Sequence, residues 1–579
     1  MESVTFLFRR LFEIWIPSGI GLLFCLLISL VVTTAHYSYA TWKKLAHIPG
    51  PPIAHISILW LVRRAWKGKL YSTLTKAGED YENTQGPLVR IGPNLLLCSD
   101  PNELGAISGI RSPFTKGPAY NAGRVTDGDP HVASERDPAK HKALRQKMGP
   151  AYSIDFQQAT DRQLSNLISL INRKYVVEPG SPGRRDQLTR YMDFGQKIHF
   201  YTMDFIGEFA FGEPFGFLEK DEDVRRMTEI NDLSIRLMTV AGLMPWLAGL
   251  RSTWPFRLLL PQEGDKVGFG TLFGFAKSLV DKRTAPGAVP KNDMMQVFIR
   301  SGMTKEQLMQ QVYIHIVAGT DASANWARMA MLCLLTCPTT YLALQREIDQ
   351  ADAAGRLQKP IAADAEGRQL RYLDAVLRES IRLHPPSISP SKISPPQTTD
   401  NGEDDAESRT PWWRFWRDRN DRSASNEVDK EANRRRRSSG SHRKTAPQRI
   451  EVCGYHIPPD TQIGANVPGL LRSKDIFGDD AGCFRPERWL EEGDDEQQGA
   501  ERLSRMQKTL DLAFGAGKFQ CLGKAIAWME VRKLFIELFR RFDFSIVDNV
   551  APLRIESFAI TVVHDFNLRV TRRPGWTEN

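Results

Sequence analysis

The pattern of apolar and charged positions separates an N-terminal apolar run from a long region of mixed polarity. Residues 14–35 contain no charged side chain, and a helix of this length crosses about 30 Å of hydrocarbon. A cleaved signal peptide is the competing interpretation, but the run is longer than a signal core and lacks a small-residue cleavage site. We therefore expect residues 1–47 to form a single-pass membrane anchor. Arg9–Arg10 and Lys43–Lys44 flank the run on both sides, so charge alone leaves its orientation open.

Behind the anchor, the pattern predicts a mainly α-helical fold with a small β-rich part. Residues 305–337 and 521–541 carry apolar positions at helical spacing, and we expect the second helix to start directly at Cys521. A further helix is predicted over 372–386 and ends at Pro385. Strand-like patterns next to turn residues occur at 86–98, 452–463 and 557–563.

Two segments interrupt this pattern and set the domain boundaries. Residues 48–52 are rich in proline and predict a stiff elbow between the anchor and a globular domain at 48–579. Residues 397–449 have mixed charge, many serines and no periodicity, so we predict a disordered insertion. A tolerated surface insertion, translated intron sequence and contact of its Trp/Arg cluster with a membrane surface remain alternatives for this insertion.

Composition limits the classes of function. With 41% hydrophobic and 25% charged residues, the chain has the make-up of a globular protein, and its formal net charge is +9. The positive charge suits an anionic partner or surface, but no nucleic-acid-binding motif accompanies it. The seven cysteines are dispersed and contain no C-x-x-C pair. They predict neither a disulfide framework nor a zinc site, and they favour a reducing compartment.

One of these cysteines, Cys521, stands at the end of a glycine-spaced loop. Gly515 and Gly517 allow backbone angles that other residues avoid, and Gly523 removes a side chain beside the cysteine. A cysteine at a helix N-terminus is favoured as a thiolate, and a thiolate is a good axial ligand for haem iron. An inert buried cysteine is the competing interpretation for the loop taken alone.

Charged residues recur at helical spacing upstream of this loop. His141 and Arg145 share one helix face at i, i+4, and Glu379 and Arg382 share another at i, i+3. Arg488 lies in the sequence Phe-Arg-Pro-Glu-Arg-Trp. Taken alone, each group is also typical of a solvated helix surface.

The long helix predicted over 305–337 contains the sequence Ala-Gly-Thr-Asp-Ala-Ser at 318–323. Gly319 lies in mid-helix, where glycine costs about 1 kcal/mol relative to alanine, and close approach of a ligand is a common reason for it. Asp321 and Ser323 are the polar residues of interest beside it. A helix-surface acid and a filler serine are the alternative interpretation.

Together, in this order, the motifs resemble those of the cytochrome P-450 superfamily. Phe514, Gly517, Cys521 and Gly523 match its pattern F-x-x-G-x-R-x-C-x-G, whereas Phe519 stands at the arginine position. The resemblance covers about residues 48–579 apart from the insertion. The wording at 204–218 and at 520–524 resembles fungal microsomal members related to pisatin demethylase.

The resemblance implies roles for these residues. Cys521 would be the axial ligand of the iron of haem b, and the loop residues Phe514, Gly515, Gly517 and Gly523 would lie against the haem. His141 and Arg145 would bind haem propionates, and more strongly than usual because Phe519 replaces the loop arginine. Gly319, Asp321 and Ser323 would stand on the oxygen side, where Ser323, an ordered water or a substrate hydroxyl would replace the threonine missing at Ala322. A buried charge network would join Glu379, Arg382 and Arg488.

The function implied is insertion of one oxygen atom from O₂ into a small organic substrate, by hydroxylation, O-demethylation or a similar reaction. Fungal secondary metabolism or detoxification is the implied setting. NADPH-cytochrome P-450 reductase would supply electrons, with cytochrome b5 as an additional donor, and the domain would face the cytosol from the endoplasmic reticulum membrane. A reductant-independent isomerase or dehydratase is one alternative, which Ala322 favours and Asp321 disfavours. A non-catalytic haem-binding protein is the other.

Overall fold

The structure, a computed structural model, describes residues 39–124, 128–177, 190–247, 269–388, 392–394, 450–490 and 496–574, with scattered positions between 25 and 36. Most of the predicted anchor span 14–35 and all of the predicted insertion 397–449 lie outside the described residues. Across the described ranges, no single helix is long and apolar enough to cross a membrane. One pair of helices bent by 110°, Lys305–Thr336 and Pro338–Ala353, meets the length and composition criteria together.

Helices form the larger part of the described chain. They are α1 (Pro52–Ile56), α2 (Leu59–Trp66), α3 (Leu70–Gln85), α4 (Pro101–Ser108), α5 (Pro138–Met148), α6 (Gln157–Lys174), α7 (Phe194–Phe211), α8 (Phe217–Lys220), α9 (Met227–Leu243), α10 (Phe269–Thr284), α11 (Met294–Arg300), α12 (Lys305–Thr336), α13 (Pro338–Ala353), α14 (Asp364–Gly367), α15 (Arg371–Leu383), α16 (Val467–Leu470), α17 (Lys474–Phe477), α18 (Glu496–Asp511) and α19 (Lys524–Arg541).

Short strands form the smaller, β-rich part. They are β1 (Leu88–Gly92), β2 (Leu95–Cys98), β3 (Thr115–Lys116), β4 (Val176–Val177), β5 (Met192–Asp193), β6 (Lys392–Ile393), β7 (Glu451–Val452), β8 (Tyr455–His456), β9 (Gln462–Ala465), β10 (Phe542–Ile546), β11 (Arg554–Ser557), β12 (Thr561–His564) and β13 (Asn567–Arg572).

The strands pair into two larger sheets and two hairpins. One sheet has the order β1-β2-β9-β6-β3, and its β2–β9 pair is parallel while its other pairs are antiparallel. In the second, β13 pairs with β10 and β5 in antiparallel and with β4 in parallel fashion. The hairpins are β7–β8 and β11–β12. Because β3 and β6 are neighbours, residues from distant parts of the sequence meet at one sheet edge.

Helix α12 lies at the centre of the helical part. Its N-terminus is fixed by a capping box, in which Thr304 and Gln307 each accept the other's backbone N–H. It packs against α7, α10 and α15. The fully buried Trp326 donates its indole N–H to Ser380 Oγ at 3.0 Å and so ties α12 to α15. The Gly319 stretch is thereby held in the middle of the molecule.

The mainly helical class with a small β part is confirmed. The predicted hairpin at 86–98 is β1–β2, and the ribbon expected at 557–563 is the slightly longer hairpin β11–β12. The expectation that a helix starts at Cys521 is wrong, because α19 begins at Lys524. Residues 521–523 precede the helix, and Leu522 and Gly523 form a turn, so Cys521 lies outside the helix.

Candidate functional site

The cysteine loop is shaped by two glycines and one backbone hydrogen bond. The Cys521 N–H donates to the Phe514 carbonyl oxygen at 2.7 Å, which closes the loop on itself. Gly515 and Gly517 have φ of 73° and 54°, in the region that glycine tolerates best. A Cβ at Gly517 would overlap the carbonyl oxygen of Ser108 at the end of α4. The loop therefore rests directly on α4 through a position that only glycine fills.

The sulfur of Cys521 lies in a recess. Surrounding protein atoms raise the pKa of the thiol by desolvation, whereas the backbone N–H groups of Gly523 and Lys524 and the Arg145 guanidinium act to lower it. Its side chain nevertheless remains exposed. An accessible sulfur that receives two backbone N–H groups fits the axial ligand of a haem iron, whose positive charge holds the thiolate.

Phe514 joins this loop to the central helix. Its ring meets Trp326 of α12 edge to face, with centroids 6.2 Å apart. Gly523 lies on the other side of the cysteine, where a Cβ would stand 3.8 Å from Cys521 Sγ. The loop residues predicted to contact haem are therefore grouped around the sulfur.

The predicted propionate ligands stand beside the loop. Asp137 caps α5 by accepting two backbone N–H groups, which fixes the helix that carries both residues. The His141 ring lies 6.0 Å from that of Phe519, and Arg145 Nη1 donates to the Gln520 carbonyl oxygen at 2.8 Å. Burial and neighbouring cations lower the pKa of His141 to about 3, so this imidazole is neutral at physiological pH.

Two lysines beside Phe519 were missed by sequence reasoning. Lys116 and Lys392 are register partners on β3 and β6. Lys392 Nζ lies 5.0 Å from the Phe519 ring centroid. Burial first, then the charges of Lys392 and Arg145, lower the pKa of Lys116 to about 7. Strands of two residues carry no periodicity, so no sequence signal pointed to these lysines.

Lys518 completes a basic cluster, which we define as Lys116, Arg145, Lys392 and Lys518. Its ammonium lies 5.2 Å from the Phe519 ring and donates to the Ser112 carbonyl oxygen at 2.8 Å. Three cations, together with Lys116 whose pKa is about 7, crowd at one edge of the cysteine recess and fit the two carboxylates of a haem. Although Phe519 replaces the loop arginine of the family pattern, positive charge is therefore still present around residue 519.

The glycine stretch of α12 presents two different faces. Ala318 is exposed, and Gly319 and Ala322 are half-buried, so small residues line one face. A Cβ at Gly319 would come within 3.0 Å of Ile206 Cδ1. Asp321 points into the protein, fully buried. The helix therefore combines an open, small-residue face with an acid held behind it.

Asp321 is embedded in polar groups of other helices. Asn231 of α9 donates its amide N–H to one carboxylate oxygen, and His199 Nε2 of α7 lies 3.5 Å from the other. Burial, followed by repulsion from Asp232, raises the pKa of Asp321 to about 8, while Arg328 opposes the shift. The carboxyl therefore carries a proton at neutral pH. These partners were not predicted, because they depend on how three helices cross.

Ser323 is buried and is placed beside a different acid. Burial raises the pKa of Glu530 on α19 to about 8, and the nearby Ser323 hydroxyl acts to lower it. Ser323 thus links the central helix to the helix that follows the cysteine loop. Its predicted role in proton supply stays a prediction.

The predicted charge network is assembled and fully buried. Arg382 Nε and Nη2 donate to the two oxygens of Glu379 at 2.9 and 2.7 Å, and Arg488 Nε donates to Oε1 at 2.9 Å. Trp489 adds a fourth donor at 2.8 Å, and Asp480 accepts from Arg488 at 2.9 Å. Such bidentate geometry is strict. Loss of one partner would leave a buried charge unpaired, at a cost of about 3–5 kcal/mol.

Comparison with known proteins agrees with this arrangement. The cytochrome P-450 family model matches residues 133–395 and 415–569. Among the similar curated proteins, cytochrome P-450 monooxygenase ABA1 of Pyricularia oryzae is 30% identical over 92% of this chain and 93% of its own. Cytochrome P-450 monooxygenase aba1 of Botryotinia fuckeliana is 31% identical over 92% of each chain. Abl1 of Leptosphaeria maculans, also named a cytochrome P-450 monooxygenase, is 30% identical over 92% of this chain and 84% of its own. The chain therefore belongs to the cytochrome P-450 family and is a haem-thiolate monooxygenase.

Proposed function

We propose that this monooxygenase uses haem b and electrons from NADPH-cytochrome P-450 reductase to oxygenate a small organic molecule in fungal secondary metabolism or detoxification. The observation that carries the proposal is the recess at Cys521, with the basic cluster at its edge. The names of the relatives favour monooxygenation over the isomerase, dehydratase and non-catalytic alternatives.

Each group of residues has a defined task in this proposal. Bound haem supplies the activation of O₂. Cys521 ligates the iron, and the basic cluster pairs with the two propionates. The small-residue face of α12 leaves room for oxygen and substrate, while Asp321 holds a proton behind it. A buried, neutral carboxyl is suited to general-acid catalysis near neutral pH.

The outer side of α5 supports a basic docking surface for the reductase. Lys140 and Lys142 are exposed on the helix that carries His141 and Arg145. An acidic partner would be steered to this surface by charge complementarity, and electron transfer would then occur close to the cysteine loop. Cytochrome b5 would compete for the same surface.

Exposed apolar residues near the N-terminus support attachment to the endoplasmic reticulum membrane. Ile53, Ile56, Leu59 and Trp66 of α1 and α2 are all at least half exposed, and Arg63 and Arg64 stand among them. An apolar face with adjacent basic residues suits the interface of an anionic membrane. These helices follow the predicted anchor directly, so both features would bind one bilayer, with the domain on its cytosolic side.

The decisive experiment compares metabolites in cells that express the chain with the reductase and in cells that express a Cys521→Ala variant with it. We expect an oxygenated product, and a thiolate-type spectrum of the reduced CO complex, in the first culture alone. Omission of NADPH or of the reductase from purified membranes should abolish product formation. Turnover that continues without reductant would instead favour the isomerase or dehydratase alternative.

A further inference from the structure

Asp321 and His199 face each other inside the protein with unused hydrogen-bonding capacity. Asp321 Oδ1 and His199 Nε2 are 3.5 Å apart, both side chains are fully buried, and neither atom has a hydrogen-bond partner. Buried polar atoms of this kind commonly bind ordered water. A proton can therefore be exchanged here, but the pair lies too deep for direct contact with solvent.

A second group, of three titratable residues, lies nearer to solvent. Asp232 follows the Asn231 that binds Asp321, and its Oδ2 is 4.0 Å from Nδ1 of His564 on β12. His564 Nε2 is in turn 3.5 Å from Glu556 Oε2 on β11. The side chains of Asp232, His564 and Glu556 are 27%, 24% and 22% exposed, so this second group is in contact with water.

We propose that Asp232 and His564 form the entry through which protons pass from solvent to Asp321. The route runs from Glu556 and His564 on the β11–β12 hairpin, through Asp232 on α9, to the acid on α12. Ordered water at the unpaired atoms of Asp321 and His199 completes it. The inference rests on the monooxygenase function, because the reaction O₂ + RH + NADPH + H⁺ → ROH + H₂O + NADP⁺ consumes protons at the oxygen side.

The charges around this route favour a proton on its acids. Burial raises the pKa of Asp232 to about 7, and that of Asp321 is about 8. Burial also holds the pKa of His199 well below its usual value, so His199 accepts a hydrogen bond rather than carrying a charge. The charged and titratable groups that face the two carboxyls are His199 on α7, Asp223 before α9, Arg236 on α9, Arg328 on α12, Glu556 on β11 and His564 on β12.

Arg328 is close enough to both acids to influence their pKa values, but it cannot pass a proton itself. Its guanidinium donates to the Gly195 carbonyl oxygen at 2.9 Å and to Asn325 Oδ1 at 2.7 Å, so its position is fixed. This cation lowers the pKa values of both carboxyls. Arg328 therefore keeps the pKa values of both carboxyls close to neutral pH, and the proton itself passes through the acids and the histidine.

Asp232→Asn and His564→Gln are the variants that test the route. Both keep the size of the side chain while removing a proton carrier. In the reductase-supported enzyme, we expect product formed per NADPH consumed to fall at least about tenfold, less than the 10²-fold or more typical of losing a direct general acid. Hydrogen peroxide should account for the missing product, by O₂ + NADPH + H⁺ → H₂O₂ + NADP⁺. Glu229→Gln, an exposed change on the same helix, is the matched control and should leave the ratio unchanged.

Hydrogen peroxide used as the oxidant separates proton supply from a structural role. The reaction RH + H₂O₂ → ROH + H₂O needs no proton from solvent, so both variants should then form product at the wild-type rate. Equal loss in the peroxide-driven and NADPH-driven reactions would overturn the proposal. So would an unchanged product-to-NADPH ratio in both variants.

An infrared titration of the haem-loaded protein tests the same link without turnover. The band of the protonated carboxyl that disappears in Asp321→Asn identifies Asp321. In Asp232→Asn this band should be lost at a lower pH, because the repulsion between the two carboxylates is gone. An unshifted titration would overturn the proposed connection. If wild-type enzyme fails to use NADPH and the reductase, the proposed electron donor fails, yet the titration and the peroxide reaction still decide the route.

Discussion

At the scale of single residues, Phe519 changes how the cysteine loop meets the haem carboxylates. An arginine there would supply one charge from the loop itself. In this chain the charges come from α5, β3, β6 and the neighbouring loop residue Lys518, and the Phe519 ring packs among them. Burial and neighbouring cations keep His141 neutral, so it adds no charge to this group. Arg145 is thus a cation on α5 that contacts the loop directly, through its hydrogen bond to the Gln520 carbonyl oxygen.

Arg145→Ala should accelerate the loss of haem. A hydrogen bond to a charged group contributes about 1.5–3 kcal/mol, so we expect transfer of haem to apomyoglobin to become roughly ten to a hundred times faster. Lys142→Ala, an exposed change on the same helix, is the control.

The same substitution in a Phe519→Arg background tests the compensation directly. A loop arginine should reduce the effect of Arg145→Ala, and a relative that already has this arginine should behave likewise. Equal acceleration in both backgrounds would contradict the compensation but leave Cys521 as the iron ligand.

At the scale of elements, sequence and structure agree where a motif is local and differ where contacts join distant segments. The cysteine loop and the Glu379–Arg382 pair could be located in advance because each is fixed by neighbours a few residues away. Lys392 could not, since it reaches Phe519 only through pairing of two-residue strands. The start of α19 was misplaced for a related reason. A turn that contains Gly523 follows the cysteine and delays the start of the helix. The spacing of apolar residues gives no sign of this turn.

Gly517→Ala should disrupt the packing of the cysteine loop against the end of α4. Positive φ costs a residue other than glycine about 1–2 kcal/mol, and the new Cβ would overlap the Ser108 carbonyl oxygen. We expect a lower melting temperature and loss of the thiolate-type CO spectrum. Gly105→Ala on α4 is the matched control, since no atom lies within 4 Å of the new Cβ there. Equal behaviour of the two variants would argue against a special role for the Gly517 contact.

At the scale of the whole molecule, the fold gathers three acids with raised pKa values around α12. Asp321, Asp232 and Glu530 all have raised pKa values because burial disfavours their ionised forms. The family resemblance predicted the helical architecture and the axial ligand. It did not predict these acids as a group, because their pKa values depend on burial that no single segment determines.

These acids should therefore contribute less to stability as the pH rises. Glu530 ionises near 4.5 when unfolded but near 8 when folded. Between these values the Glu530 carboxyl binds more protons in the folded state, so its contribution to the free energy of unfolding decreases with increasing pH. Glu530→Gln should remove this contribution, while Asp321 and Asp232 still act in the same direction and His141, whose pKa is lowered, acts in the opposite direction. Urea unfolding at pH 5, 6, 7 and 8 measures the slope, and Glu229→Gln is the surface control. Parallel curves for wild type and Glu530→Gln would contradict the assignment.

The pairing of β6 has a practical consequence for protein engineering. Ser394, just before the 397–449 segment, donates its N–H to the Thr461 carbonyl oxygen at 2.9 Å, and Ile457 donates to Ile450 at 2.8 Å on the returning side. The residues that flank the segment on both sides are thus hydrogen-bonded to one short stretch, 457–461. The entropy of closing a loop grows only slowly with its length. A compact fluorescent reporter whose termini lie close together could therefore replace 397–449 at little cost in stability, which would give a tagged enzyme with both chain ends free.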